Sequence, residues 1–211
     1  MKKYAVEFTG TFFLMLMITV AAVLGHAGDL AGVAIGGGLM ALIYGGGHVS
    51  KAHYNPAISL AFLMRGGIKK PDFLPYLGAQ FIGAALGAVA GIYLIGPGKT
   101  VPSASLEVLP ALSAEFFFTL ALAWVILQVA MAKGLASNEI YGLAIGAIVM
   151  AGVYTVGAIS LAVFNPAVAL GLAITGKLAW SQIWIPIVGS IAGAIVATFL
   201  FQLTCCEDEC E

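Results

Sequence analysis

The sequence carries one long segment twice. IGGGLMALIYGGGHVSKAHYNPA at 35–57 returns as IGAIVMAGVYTVGAISLAVFNPA at 145–167, an offset of 110 residues from Asn55 to Asn165. Ile35, Gly36, Tyr44, Gly47, Ser50, Asn55, Pro56 and Ala57 all find their equals. Upstream, VEFTGTFFLMLMI at 6–18 returns as AEFFFTLALAWVI at 114–126, with Glu7-Phe8 on Glu115-Phe116 at an offset of 108. Downstream, QFIGAA at 80–85 returns as SIAGAI at 190–195, again at 110. Matches that keep their order and nearly one offset mark an internal repeat, so any fold must be built from two like halves. The reading places the halves at 1–98 and 108–204 of a single domain, followed by an acidic cysteine-containing tail at 205–211.

What each half can be follows from its solvent. Hydrophobic residues make up 61% of the chain and charged residues 9%, against about 25% charged in an ordinary soluble domain. A chain so poor in charge needs the bilayer as its solvent. Crossing it takes about 20 apolar residues as a helix. Six stretches qualify, roughly 4–24, 31–49, 73–95, 109–131, 140–159 and 181–203. Two apolar pieces, PAISLAFLM at 56–64 and PAVALGLAIT at 166–175, are about half that length and read as re-entrant helices. Each opens on Pro, which suits a first helical turn, after Asn, a good N-cap.

Three spans per half is an odd number, so the second half enters the membrane upside down. The repeats are inverted about an axis in the membrane plane. The half-helices then dip in from opposite faces and meet near Asn55 and Asn165. The fold class expected is therefore an all-α membrane protein of six transmembrane helices and two re-entrant half-helices. With both termini cytoplasmic, Lys2, Lys3, Lys51, Arg65, Lys69, Lys70 and Lys133 lie inside and Lys99 and Lys177 outside. That asymmetry satisfies the positive-inside rule.

The opening MKKYAVEFTGTFFLML has the basic start and apolar run of a leader, but its recurrence mid-chain makes it a span. A net charge of −1 and the absence of a basic run exclude a nucleic-acid partner. Cys205, Cys206 and Cys210 fall in the tail and read as reduced thiols. No metal or cofactor is expected.

HYNPA at 53–57 and FNPAV at 164–168, at matching places in the repeat, resemble the major intrinsic proteins, the aquaporin and glycerol-facilitator family. GGGHVSKAHYNPA and PYLGAQFIGAALGA resemble its second and third spans, and the likeness covers nearly the whole chain, as a prokaryotic-type member. It implies a passive channel rather than an enzyme, embedded in lipid in the plasma (inner) membrane, assembled as a homotetramer with one pore per subunit, and passing water and small neutral solutes. Among those solutes are glycerol, ammonia, hydrogen peroxide and dissolved gas. The pore motifs would be Asn55, Pro56, Ala57, Asn165, Pro166 and Ala167. Paired helix N-termini and asparagine amides there would exclude ions. Glu7 and Glu115 would brace the loops before each motif. His48 and His53, placed in the cytoplasmic loop, are candidates for a pH gate, with loop hydrogen bonding as the competing role.

The resemblance also places a selectivity filter at Ile35, Val153, Ala162 and Val168. The last is normally Arg, and the only arginine here is Arg65, on the cytoplasmic side. All four positions are apolar, so the filter should be wider and drier than a water-specific one. Losing the charge also removes a barrier to cations. Lys177 lies about two turns further on, past Gly176, and is expected to fall short of the filter. The alternatives are a solute-coupled secondary transporter, which would need acidic groups at mid-membrane beyond Glu7 and Glu115, and a non-conducting structural membrane protein. An enzyme would need a nucleophile–base pair or metal cluster, and no such motif occurs.

Overall fold

The structure, a computed structural model, describes residues 1–96, 101–132, 135 and 138–205. Among these residues, eight α-helices follow in chain order: α1 Lys2–Ile18, α2 Ala31–Ser50, α3 Pro56–Met64, α4 Lys70–Ile95, α5 Val108–Met131, α6 Tyr141–Ser160, α7 Pro166–Ile174 and α8 Trp184–Thr204. Six are long and apolar enough to span a bilayer, and they coincide with the six expected stretches. The two short ones, α3 and α7, have nine residues each.

The C-terminal end of α1 departs from the simple pattern. Residues Thr19–Val23 continue it as a π-helix. Such turns are wider than the α-helix and break the register of the face they carry. No counterpart interrupts α5, so the two halves differ here.

Packing follows the repeat. Helix α1 lies against α4 as α5 lies against α8, while α2 and α6 meet each other across the axis. Lipid supplies no hydrophobic drive between helices, so close backbone approach at small residues holds them together. A Cβ on Gly36 would stand 2.6 Å from the Gly146 carbonyl oxygen, and one on Gly146 would stand 2.5 Å from that of Gly36. Gly83 is likewise pressed on the Phe8 carbonyl, and Gly193 on that of Phe116.

The tail expectation fails at its one described cysteine: Cys205 is disulfide-bonded, not reduced. Residues 206–211, with Lys99 and Lys133, lie outside the described residues.

Candidate functional site

The loops before α3 and α7 are the least ordinary backbone in the chain. Lys51, Ala52 and Tyr54 have φ of 68°, 50° and 49°, and Leu161, Ala162 and Phe164 have 70°, 49° and 52°. None is glycine, and each such conformation costs on the order of 1–3 kcal/mol unless its surroundings impose it. The near-identity of the two triplets shows one backbone path used twice.

Two glutamates impose it. Glu7, fully buried on α1, accepts through Oε1 from the Ser50 hydroxyl at 2.7 Å and the His53 amide at 3.0 Å. Through Oε2 it accepts from the Tyr54 amide at 2.7 Å and the Gln80 side chain at 2.8 Å. Glu115 on α5 repeats the pattern: Ser160 hydroxyl at 2.6 Å, Val163 amide at 2.8 Å and Phe164 amide at 2.6 Å. The serines in turn accept from the amides of Ala52 at 3.0 Å and Ala162 at 3.2 Å. Each loop thus has its amides turned toward protein. The carbonyls of Ala52, His53, Ala162 and Val163 accept no hydrogen bond from the described residues. Irregular backbone at membrane depth is tolerated where it is buried in protein or lines a cavity.

The asparagines close the arrangement crosswise. Asn55 Oδ1 accepts from the Ala57 amide at 2.9 Å and caps α3. Asn165 Oδ1 accepts from Ala167 at 2.9 Å and caps α7. Each Nδ2 then crosses the axis: Asn55 donates to Phe164 O, and Asn165 to Tyr54 O, both at 2.8 Å. One amide proton of each asparagine is therefore committed to the opposite loop, and one remains for the lumen. Asn165→Ala is expected to lower stability by roughly 2–4 kcal/mol, from a lost N-cap and an orphaned buried carbonyl. A thermal unfolding curve in detergent checks this; a wild-type midpoint would refute it.

A cavity of about 670 Å³ runs along both loops and is lined by Lys51, just beyond α2, and by Lys177, just beyond α7, among others. Asn55, Asn165 and all four expected filter residues, Ile35, Val153, Ala162 and Val168, border it. Most of the remaining wall is aliphatic, from residues such as Leu14, Leu39, Leu122 and Val149. Pro56, Ala57, Pro166 and Ala167 are buried in the first turns of α3 and α7 instead.

The two histidines part company. His48 is exposed in the last turn of α2, not in a loop, and does not border the cavity. His53 does border it. Its Nδ1 lies 3.1 Å from the Ser59 hydroxyl, which also accepts from Gln80 at 2.9 Å. Its ring packs on Phe62 and Tyr76, with centroids 4.1 and 5.2 Å away. Its Nε2 is buried without a partner among the described residues.

Sequence reasoning missed the anchoring of Tyr54, whose hydroxyl donates to Leu42 O at 3.0 Å and whose ring fills the space left by Gly10 and Gly46. It also missed Gln80 and Ser59. The available signal was polarity: Gln80 stands in mid-span, where the repeat has Ser190. Lys177, expected to fall short of the filter, borders the same cavity as Val168 and Ala162.

The chain matches the family model described as Major intrinsic protein over residues 1–201. It belongs to the major intrinsic protein family. It is 35% identical over 214 residues to "Aquaporin NIP1-1" of Oryza sativa subsp. japonica, covering 96% of this chain and 74% of that protein. It is 32% identical over 236 residues to "Probable aquaporin AqpM" of Archaeoglobus fulgidus, covering 95% and 96%. In fold it is similar to the aquaglyceroporin of Plasmodium falciparum, with a TM-score of 0.82, 24% identity and 96% of both chains covered. As a major intrinsic protein, the chain is an integral membrane protein and a passive channel for water and small solutes, not an enzyme.

Proposed function

We propose that the cavity is a broad pore for small neutral solutes, glycerol among them, as well as for water. The observation that carries this is the composition of the expected filter: Ile35, Val153, Ala162 and Val168 border the cavity together, and none brings a side-chain hydrogen bond or a charge. In such a filter, selection rests on size and on the free backbone carbonyls. A solute with an apolar face and hydroxyls fits both. Water is not favoured over it by any fixed donor.

With an uncharged filter, the centre contributes to ion exclusion. The N-termini of α3 and α7 each carry a partial positive charge of about half a unit, and the spare Asn55 and Asn165 protons add donors there. Glu7 and Glu115 hold the loops that place them. His53 belongs to the inner wall of this pore, and His48 is left as a surface residue of the inner face. In this reading the termini are cytoplasmic, the protein sits in the plasma (inner) membrane, its halves 1–98 and 108–204 are inverted repeats, and four copies form a homotetramer with one pore each.

The test is stopped-flow light scattering on proteoliposomes. Sucrose as osmolyte should give fast shrinkage, and glycerol should give shrinkage followed by fast reswelling, without saturation. Fast water with no glycerol entry would overturn the broad-pore reading. Saturable uptake driven by an ion gradient would overturn the channel itself.

A further inference from the structure

We propose that Lys177 sets the charge selectivity of the outer mouth, admitting neutral solutes and holding back cations. The inference rests on the channel reading above. Four observations carry it.

First, the lysine is in the right place. It borders the cavity, as do Val153, Tyr154, Ala162 and Val168, and the order of the spans sets the α7–α8 connection that carries it on the side opposite the end of α2, where Lys51 lies. Second, its position is fixed rather than left to a free loop. Gly176 turns the chain at φ 79°. The Lys177 amide then donates to the Thr175 hydroxyl at 3.4 Å, and its carbonyl accepts from the Ala104 amide at 2.9 Å. The next residue, Leu178, is buried and pairs as an isolated bridge with Ala104. The backbone on both sides of the ammonium is therefore tied down. Third, the charge is unpaired: no carboxylate among the described residues forms an ion pair with it. Fourth, no carboxylate opposes it in the wall. Among the described residues the wall contains no Asp or Glu, and the position that follows the second Asn-Pro-Ala carries Val168.

An unpaired positive charge at a mouth with low-dielectric walls acts on every ion that enters. Clefts of one sign focus the field and change the local concentration of charged species by ten-fold or more. Lys51 differs at the inner end, since its ammonium stands over the Phe62 ring at 5.7 Å. Among the described residues the outer barrier is thus a single side chain, which makes it testable by charge alone.

The experiment compares wild type with Lys177→Arg, Lys177→Met and Lys177→Glu in proteoliposomes. Sodium uptake and stopped-flow water flux are measured on the same preparations. Met keeps the length of Lys without its charge, so a steric role predicts no change for it. The expected result is a wild-type sodium leak in Lys177→Arg, a rise of about ten-fold in Lys177→Met and a larger one in Lys177→Glu, with water flux retained in all. A membrane-impermeant acylating reagent should raise the leak of wild type toward that of Lys177→Met and leave Lys177→Arg unchanged. Sodium leaks equal in all four proteins, with water flux intact, would overturn the role of Lys177 and leave the channel standing. Absence of water flux in wild type itself would overturn the channel reading, and this inference with it.

Discussion

Glu7→Ala should leave no functional protein to reconstitute. The carboxylate is the shared acceptor for four buried donors: the Ser50 hydroxyl, the amides of His53 and Tyr54, and the Gln80 side chain. Each buried donor left without a partner costs about 1–3 kcal/mol. Membrane proteins sit low in such ranges, because the unfolded chain in lipid also finds partners. Even so, the loss is roughly 4 kcal/mol or more, a large part of the ~5–15 kcal/mol that holds a typical domain together. The backbone cost comes on top, since Ala52 and Tyr54 keep positive φ only while the glutamate holds the amides in place. The expected outcome is aggregation on solubilisation, or a monodisperse fraction that conducts nothing. Size-exclusion chromatography and water flux on the same sample check it. Glu115→Ala should be milder, because three donors rather than four lose their acceptor. Wild-type yield and flux from Glu7→Ala would show that the loop is held by something else.

That ordering also shows what a sequence can and cannot carry. The spans and the half-helices were legible because hydrophobic length and Asn-Pro starts are local or additive properties. The pairing of Glu7 with Glu115 was legible for the same reason: two acids at one register of two matching spans. The path of the loops was not. Positive φ is usually announced by glycine or asparagine, yet here it falls on Lys51, Ala52, Tyr54, Leu161, Ala162 and Phe164. The conformation is imposed by hydrogen bonds from residues over 40 positions away in the chain, so no local propensity reports it. The crosswise Asn55–Phe164 and Asn165–Tyr54 bonds are illegible for the same reason, since they exist only after the halves have docked. Lys177 was judged by its distance along the chain from Asn165. The turn at Gly176 and the contact with Ala104 bring it back to the cavity, and neither is a sequence-local fact.

Val168→Arg is expected to convert the broad pore into a narrow one. Val168 is 3% exposed, and its amide shares the Asn165 cap at 3.4 Å, so the first turn of α7 fixes where a new side chain would begin. Residue 168 borders the cavity together with Ile35, Val153 and Ala162. An arginine there reaches well past the valine methyls and brings a planar fork of five donors into a passage now walled by aliphatic groups. A charge so placed is costly unless it is hydrogen-bonded. The carbonyls of Ala162 and Val163, which accept nothing from the described residues, are the natural partners. Steric narrowing and a fixed donor array act in the same direction on a solute as wide as glycerol, and water loses less because it is small. Glycerol reswelling should fall by roughly ten-fold or more, the scale set by losing about 1.4 kcal/mol at the constriction, while water flux falls by less. The guanidinium would add a second positive charge to the wall that Lys177 already borders, so sodium leak should not rise. The double variant Val168→Arg, Lys177→Met then separates the two effects. Its glycerol flux should follow Val168→Arg, and its sodium leak should stay low, because one cation still guards the mouth. Unchanged glycerol entry in Val168→Arg, from a protein of wild-type yield, would mean that the narrowest point lies elsewhere along the cavity. The crossing of Asn55 and Asn165 would be the next place to widen.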